Sequence, residues 1–309
     1  MNQLAIDVQG LAKRFGDKVA VDGVDIRMPA GKVWGFLGPN GSGKTTTIRM
    51  ICGLLEPTAG QGTCLGYDIL RESADIKRAT GYMTQHFSFW TDLTIRENLE
   101  FVARLYQMRQ RRALVDKTLE GLGLQDRQHQ LAGALSGGWK QRLALAAVTM
   151  HQPRLLLLDE PTAGVDPQAR RDFWDEIHAL SGTGLTVLVS THYMDEAERC
   201  DEIVYLANGK LVTQGRVEDI IHRSKLITWR ARGADVRALL TGLKQEPAVE
   251  HASYFGAAVH ISGQDEAGLE KAIRHWRREG ITWERIEPGL EDVFIALMKR
   301  AGKDVRQSA

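Results

Sequence analysis

The sequence predicts an α/β fold with a smaller α+β module behind it. Up to about Thr213, short apolar runs of strand length alternate with stretches whose apolar residues recur at helical spacing. That is the pattern of a largely parallel sheet wrapped by helices, with an antiparallel portion near the N-terminus. Polar residues gather where the apolar runs end, which is where open α/β sheets present ligands. Past about Ser224 the order changes to β-α-β-β-α-β, which calls for a second core.

Each element follows from its residues. Val33 to Leu37 reads as a buried strand entering a glycine-rich loop, and Ile48, Ile51 and Leu55 then mark a helix. Residues 87–150 read as an inserted helical subdomain, with Ile95, Leu99, Val102 and Leu105 on one face and Leu143, Ala146 and Ala147 on another. Arg154 to Leu158 is a second apolar strand ending in Asp159 and Glu160; Leu185 to Ser190 is a third, ending in Thr191 and His192. In the rear module, Ile227, Trp229 and Ala231 alternate as a strand, and Val236, Leu239, Leu240 and Leu243 follow helical spacing. A hairpin is expected over Ala248–Ser253 and Ala257–Ile261, a helix through Leu269, Ile273 and Trp276, and a strand over Ile281–Ile286. This is the ferredoxin-like order. A last helix carries Leu290, Val293, Phe294 and Leu297. The expected domains are 1–222 and 223–300, with 301–309 as a frayed tail.

Composition narrows the classes. A chain of 309 residues with 43% hydrophobic and 26% charged side chains has enough apolar residues for two cores. Forty basic against thirty-nine acidic residues leave a net charge of +1, so no global field favours nucleic acid. The basic groups Arg104, Arg109, Arg111, Arg112 and Arg274, Arg277, Arg278 read as solvated helix faces. Cys52, Cys64 and Cys200 lack the spacing of a zinc or thiol-redox site and read as reduced thiols. Apolar runs such as Leu155–Leu158 fall far short of the ~20 residues that span a bilayer. No secretory leader is expected at the N-terminus, so any membrane role requires a partner chain.

The chemistry sits at the strand ends. Gly38-Pro39-Asn40-Gly41-Ser42-Gly43-Lys44-Thr45 matches the phosphate-binding loop, preceded by a strand and followed by a helix as that loop requires. Its glycines let backbone N–H groups turn inward around phosphate, and the following helix start, continuing through Thr46, adds its positive dipole end. Lys44 is expected to reach the β- and γ-phosphates, and the Thr45 hydroxyl to ligate Mg²⁺. Asp159, rigid at the end of Leu155–Leu158, suits a carboxylate that binds Mg²⁺; Glu160 suits a general base or water-orienting group.

Leu135-Ser136-Gly137-Gly138-Trp139-Lys140-Gln141-Arg142, shortly before Asp159, resembles the signature motif of ATP-binding-cassette (ABC) ATPases. The resemblance covers roughly residues 4 to 220. It implies that Phe15 stacks on adenine, that Gln85 is the glutamine near Mg²⁺ and the transporter interface, that Ala163-Gly164-Val165-Asp166 is the D-loop, and that His192 contacts the γ-phosphate. It further implies two copies packed head to tail, with Ser136, Gly137 and Gly138 of one clamping ATP held by Lys44 of the other. Two positions depart from the pattern: Trp139 stands where glutamine is usual, and Ala163 where serine is common.

Gly164-Val165-Asp166-Pro167 and the closing Leu290-Glu291-Asp292-Val293-Phe294 are similar to ATPase subunits of ABC-2-type exporters, the daunorubicin-resistance-like group. That resemblance implies a membrane permease as partner, a location on the cytoplasmic face of the inner membrane, and MgATP as the energy source. The competing expectation is a soluble ABC ATPase acting on ribosomes or nucleic acid. The rear module is expected to regulate the ATPase or support its dimer.

Overall fold

A computed structural model describes residues 3–85 and 87–307, with side chains through Lys299. Contacts divide the chain into two compact units, Met1–Gln214 and Gly215–Ala309.

The first unit opens with β1 (Leu4–Phe15) and β2 (Lys18–Pro29), a long antiparallel pair. Ile6, Val8 and Leu11 of β1 and Val21, Val24, Ile26 and Met28 of β2 are fully buried, because alternation turns one face of each strand to the core. β3 (Val33–Leu37) is buried along its whole length and leads through the glycine loop to α1 (Lys44–Ile51). α1 stops at Ile51, so Leu55 packs on the core from the following turn and not from the helix. β4 (Ala59–Cys64) and β5 (Tyr67–Asp68) complete an antiparallel sheet of order β2-β1-β4-β5. α2 (Ser73–Ala79) and β6 (Thr80–Met83) follow.

The helical insertion holds α3 (Ile95–Leu105), α4 (Arg111–Leu122) and α5 (Gly137–Thr149). A capping box between Thr94 and Glu97 starts α3 by satisfying two otherwise unpaired amides. Ile95, Leu99 and Val102 join Leu143 and Ala147 in one apolar cluster, as their spacing predicts. Leu105 does not: it is 64% exposed at the last residue of the helix, while Val102 and Ala103 of the same turn stay buried.

The chain then alternates strand and helix: β7 (Leu155–Asp159), α6 (Pro167–Gly182), β8 (Thr186–Thr191), α7 (Met194–Ala197), β9 (Glu202–Ala207) and β10 (Lys210–Gly215). The second and third apolar strands each begin and end one residue later than the sequence predicts. The sheet order is β10-β9-β3-β8-β7-β6, and β9, β3, β8, β7 and β6 run parallel. β3, β7 and β8 are buried at every position, which explains why they read as unbroken apolar runs without alternation.

The second unit begins with α8 (Val217–Ser224), which packs against the final helix, so the division falls before α8 and not at residue 222. β11 (Ile227–Gly233) is followed by a 3₁₀ turn, Val236–Leu239, running into the single-turn α9 (Leu240–Leu243); one continuous helix was expected there. β12 (His251–Phe255), β13 (Ala258–Gly263), α10 (Glu266–His275), β14 (Ile281–Ile286) and α11 (Leu290–Gln307) complete it. The sheet order β12-β13-β11-β14, antiparallel throughout, is the ferredoxin-like arrangement. α11 continues to Gln307 where a tail from Ala301 was expected; Ser308 and Ala309 lie outside the described residues.

Candidate nucleotide site

Register assembles the site. Leu37 pairs with Thr191, Asp159 with Ser190 and Met83 with Leu158, so four neighbouring parallel strands end at one level. The chain therefore leaves the sheet at Gly38, Gln85, Glu160 and His192 along one edge, although these positions are far apart in sequence.

The glycine loop is pressed against its surroundings. Gly43 has φ +98°, and a Cβ there would lie 2.6 Å from the Ala20 carbonyl oxygen; at Gly38, φ +148°, it would lie 2.1 Å from that of Leu206. Only glycine fits either position without displacing backbone. Lys44, 5% exposed, folds its ammonium back onto the loop, donating to the carbonyls of Gly38 at 2.7 Å and Pro39 at 3.3 Å. Burial pushes its pKa below the ordinary 10.5, while Glu160 and Asp159 pull it back up. The Ser42 hydroxyl oxygen is buried without a partner. A desolvated ammonium and an orphaned hydroxyl in a glycine loop at a helix start fit an oxyanion.

Beside the loop, Thr45 Oγ1 donates to Asp159 Oδ1 at 3.3 Å, and the Tyr82 hydroxyl donates to Asp159 Oδ2 at 3.4 Å. Burial raises the Tyr82 pKa, which keeps that hydroxyl a donor. A threonine oxygen beside a carboxylate is a hard donor pair that fits Mg²⁺. No group of three or more His, Cys, Asp or Glu forms a metal cage among the described residues, and Mg²⁺ bound through one or two protein ligands plus phosphate needs none.

Glu160 is the point of convergence. Its Oε2 accepts from Gln85 Nε2 at 3.0 Å, while its Oε1 stands 3.3 Å from His192 Nδ1 and 4.0 Å from Lys44 Nζ. The His192 approach lacks hydrogen-bond alignment. Glu160 adopts φ +48°, uncommon for a non-glycine residue, and its N–H donates to the Ser190 carbonyl at 2.9 Å. The neighbouring strand thus holds a backbone conformation that costs about 1–2 kcal/mol, as happens where a side chain must be aimed.

The remaining expected residues occupy two other places. Phe15 ends β1 with 51% of its surface exposed, and Lys13 Nζ lies 5.4 Å from its ring centroid. Ala20, a few residues further along that hairpin, touches the glycine loop. Ser136 N-caps α5 without a side-chain cap bond, and Asp166 N-caps α6, accepting from the amides of Gln168 at 3.1 Å and Ala169 at 3.0 Å. Ser136, Gly138, Trp139, Arg142 and Asp166 line a separate cleft of about 240 Å³. Trp139 turns inward onto the helical cluster, its ring 5.7 Å from the Arg127 guanidinium and 5.5 Å from that of Arg142.

Sequence reasoning missed Tyr82, Thr162, Arg170 and Glu196. The available signal for Glu196 was a glutamate four residues past His192 in a turn that packs against apolar strands.

These features define a P-loop nucleotide-binding protein of the ATPase type. The family model described as "ABC transporter" matches residues 21–163. The probable multidrug ABC transporter ATP-binding protein YbhF of Escherichia coli K12 is 44% identical over 71% of this chain, which spans only 38% of that relative's length. The daunorubicin resistance ATP-binding protein DrrA3 of Streptomyces coeruleorubidus is 40% identical over 71% of each chain. The Nod factor export ATP-binding protein I of Rhizobium sp. N33 is 34% identical over 97% of this chain and 99% of its own. Among solved structures, the ADP conformation of MJ1267, an ATP-binding cassette of an ABC transporter, superposes with a TM-score of 0.63 at 28% identity, covering 70% of this chain and 92% of that one. The chain belongs to the ABC transporter family, as one of its ATP-binding ATPases.

Proposed function

We propose that the chain hydrolyses MgATP to drive an ABC-2-type exporter from the cytoplasmic face of the inner membrane, working as a head-to-tail dimer beneath a permease. The observation that carries this reading is the convergence on Glu160 of Gln85, His192 and Lys44, beside the Thr45–Asp159 pair. In this reading the amides of Gly38 to Thr46 and the Lys44 ammonium hold the triphosphate, and Phe15 stacks on adenine. Thr45 and Asp159, with Gln85 at the rim, hold Mg²⁺, which neutralises phosphate charge. Glu160 orients and deprotonates the attacking water, and His192 donates to the γ-phosphate. Ser136, Gly137, Gly138 and Asp166 serve the nucleotide carried by a second copy: α5 starts at Ser136 with no side-chain cap bond, and the amides and positive dipole end of such a helix start favour phosphate.

No helix among the described residues is long and apolar enough to cross a membrane. A surface feature supports a membrane partner. A cavity of about 720 Å³ is lined by Leu54, Lys77, Arg78, Leu105, Tyr106 and His151, with Leu54 and Leu105 exposed, an apolar surface suited to a cytoplasmic segment of the permease. Relatives named for multidrug transport, daunorubicin resistance and Nod factor export point the same way, toward export. We take the first compact unit, Met1–Gln214, as the nucleotide-binding domain and the second, from Gly215, as an accessory module.

The test is affinity purification of the tagged chain from detergent-solubilised membranes. A stoichiometric multispan partner, together with ATPase activity that changes when that partner is present, is expected. Retention by ribosomes or nucleic acid, with no membrane partner, refutes the proposal.

A further inference from the structure

We propose that Glu196 is a positioning residue for hydrolysis, bracketing the loop that carries His192 to the loop that leads away from Glu160. Glu196 lies on α7 with 1% of its surface exposed. One carboxylate oxygen accepts from the Thr162 hydroxyl and the other from the Thr191 hydroxyl, at 2.6 Å for the second. Both threonines are 1% exposed. Thr162 stands two residues after Glu160, and Thr191 immediately precedes His192. Thr191 Oγ1 in turn accepts from the Tyr193 N–H at 3.1 Å, so the turn around His192 is fixed on both sides.

The charge of Glu196 is answered from one direction. Arg170 Nε lies 3.7 Å from Glu196 Oε1, Arg170 Nη1 lies 3.6 Å from Asp195, and the Arg170 guanidinium carbon sits 4.7 Å from the Tyr193 ring centroid. Arg170 belongs to the first turns of α6, the helix capped by Asp166. A buried carboxylate with two hydroxyl donors and one guanidinium therefore ties three segments together: the exit from β7, the start of α6, and the turn after β8. A carboxylate is costly to bury, and apolar residues of similar size would hold these segments as well if packing were the only need. What the carboxylate adds is direction, because hydrogen bonds fix the angle of Thr191 and with it the aim of the next residue.

This inference rests on the reading of His192 and Glu160 as hydrolytic residues. The test is a double-mutant cycle on the purified whole chain, measuring phosphate release against ATP concentration, with binding of a fluorescent ATP analogue followed separately. Glu196→Ala alone is expected to lower kcat by about 10-fold or more with KM for ATP changed by less than about 3-fold, and Glu196→Gln, whose oxygen still accepts from one hydroxyl while its amide N–H donates to the other, to recover part of the loss. In a His192→Ala background, Glu196→Ala is expected to cost less than about 2-fold further, since the residue it aims is already gone. Losses that multiply undiminished in the two backgrounds overturn the inference, as does a Glu196→Ala loss confined to KM or to folded yield. If His192→Ala alone leaves kcat unchanged, the reading of the site fails first, and the assignment of Glu196 falls with it.

Discussion

Replacing Glu160 with glutamine separates binding from turnover. The amide has the shape of the carboxylate, so its oxygen still accepts from Gln85 Nε2, now 3.0 Å from Glu160 Oε2. What is lost is the proton acceptor aimed past His192, and general-base losses run at about 10²- to 10⁴-fold, or about 3–5 kcal/mol of barrier. The same change removes a negative charge 4.0 Å from the Lys44 ammonium. Attraction across that distance is about 4 kcal/mol at an effective dielectric of 20, largely offset by the cost of burying the pair. Lys44 is thereby released toward phosphate, and ATP affinity should stay within about 3-fold of the parent or tighten. Phosphate release, fluorescent-nucleotide titration and light scattering in MgATP make the assay: turnover collapses, binding persists, and an ATP-loaded dimer accumulates. Turnover within about 10-fold of the parent refutes the role of Glu160, and loss of ATP binding refutes the described balance of charge around Lys44.

Gly43→Ala places a methyl group 2.6 Å from the Ala20 carbonyl at φ +98°, so the loop must shift; ATP affinity is expected to fall at least about 10-fold, read by nucleotide titration beside a melting curve showing the fold retained. In the second unit, burial first and then Lys299 and Lys244 depress the pKa of His251 from 6.5 to about 4. The unfolded chain therefore binds a proton that the folded unit refuses, so stability is full above about pH 6.5 and is lost as pH falls toward 4. At pH 5 the loss is about 1 kcal/mol after allowing for solvent screening, and thermal unfolding at pH 7 and pH 5 should show a smaller pH effect in His251→Gln.

Most of the fold was legible because its signals are local. Unbroken apolar runs at Val33–Leu37 and Leu155–Leu158 announce strands buried on both faces, and the two-residue alternation of Ile227, Trp229 and Ala231 announces a strand with two unlike faces. Helix ends were less legible: Leu55 and Leu105 fit a helical period but fall at or beyond the point where capping stops the helix. The 3₁₀ turn at Val236–Leu239 was invisible, since its apolar residues satisfy either helical spacing.

By itself the sequence determined the glycine loop, the Asp159-Glu160 pair and the serine-glycine helix start, because each is a contiguous stretch whose backbone geometry follows from its own residues. Tertiary structure alone decided how these pieces converge. Strand register, a property of four segments paired in parallel, sets Thr45 against Asp159 and Gln85, His192 and Lys44 around Glu160. It also buried Glu196 between two threonine hydroxyls, which no spacing rule encodes, because a hydrogen bond depends on where chains meet in space and not on where they lie in order.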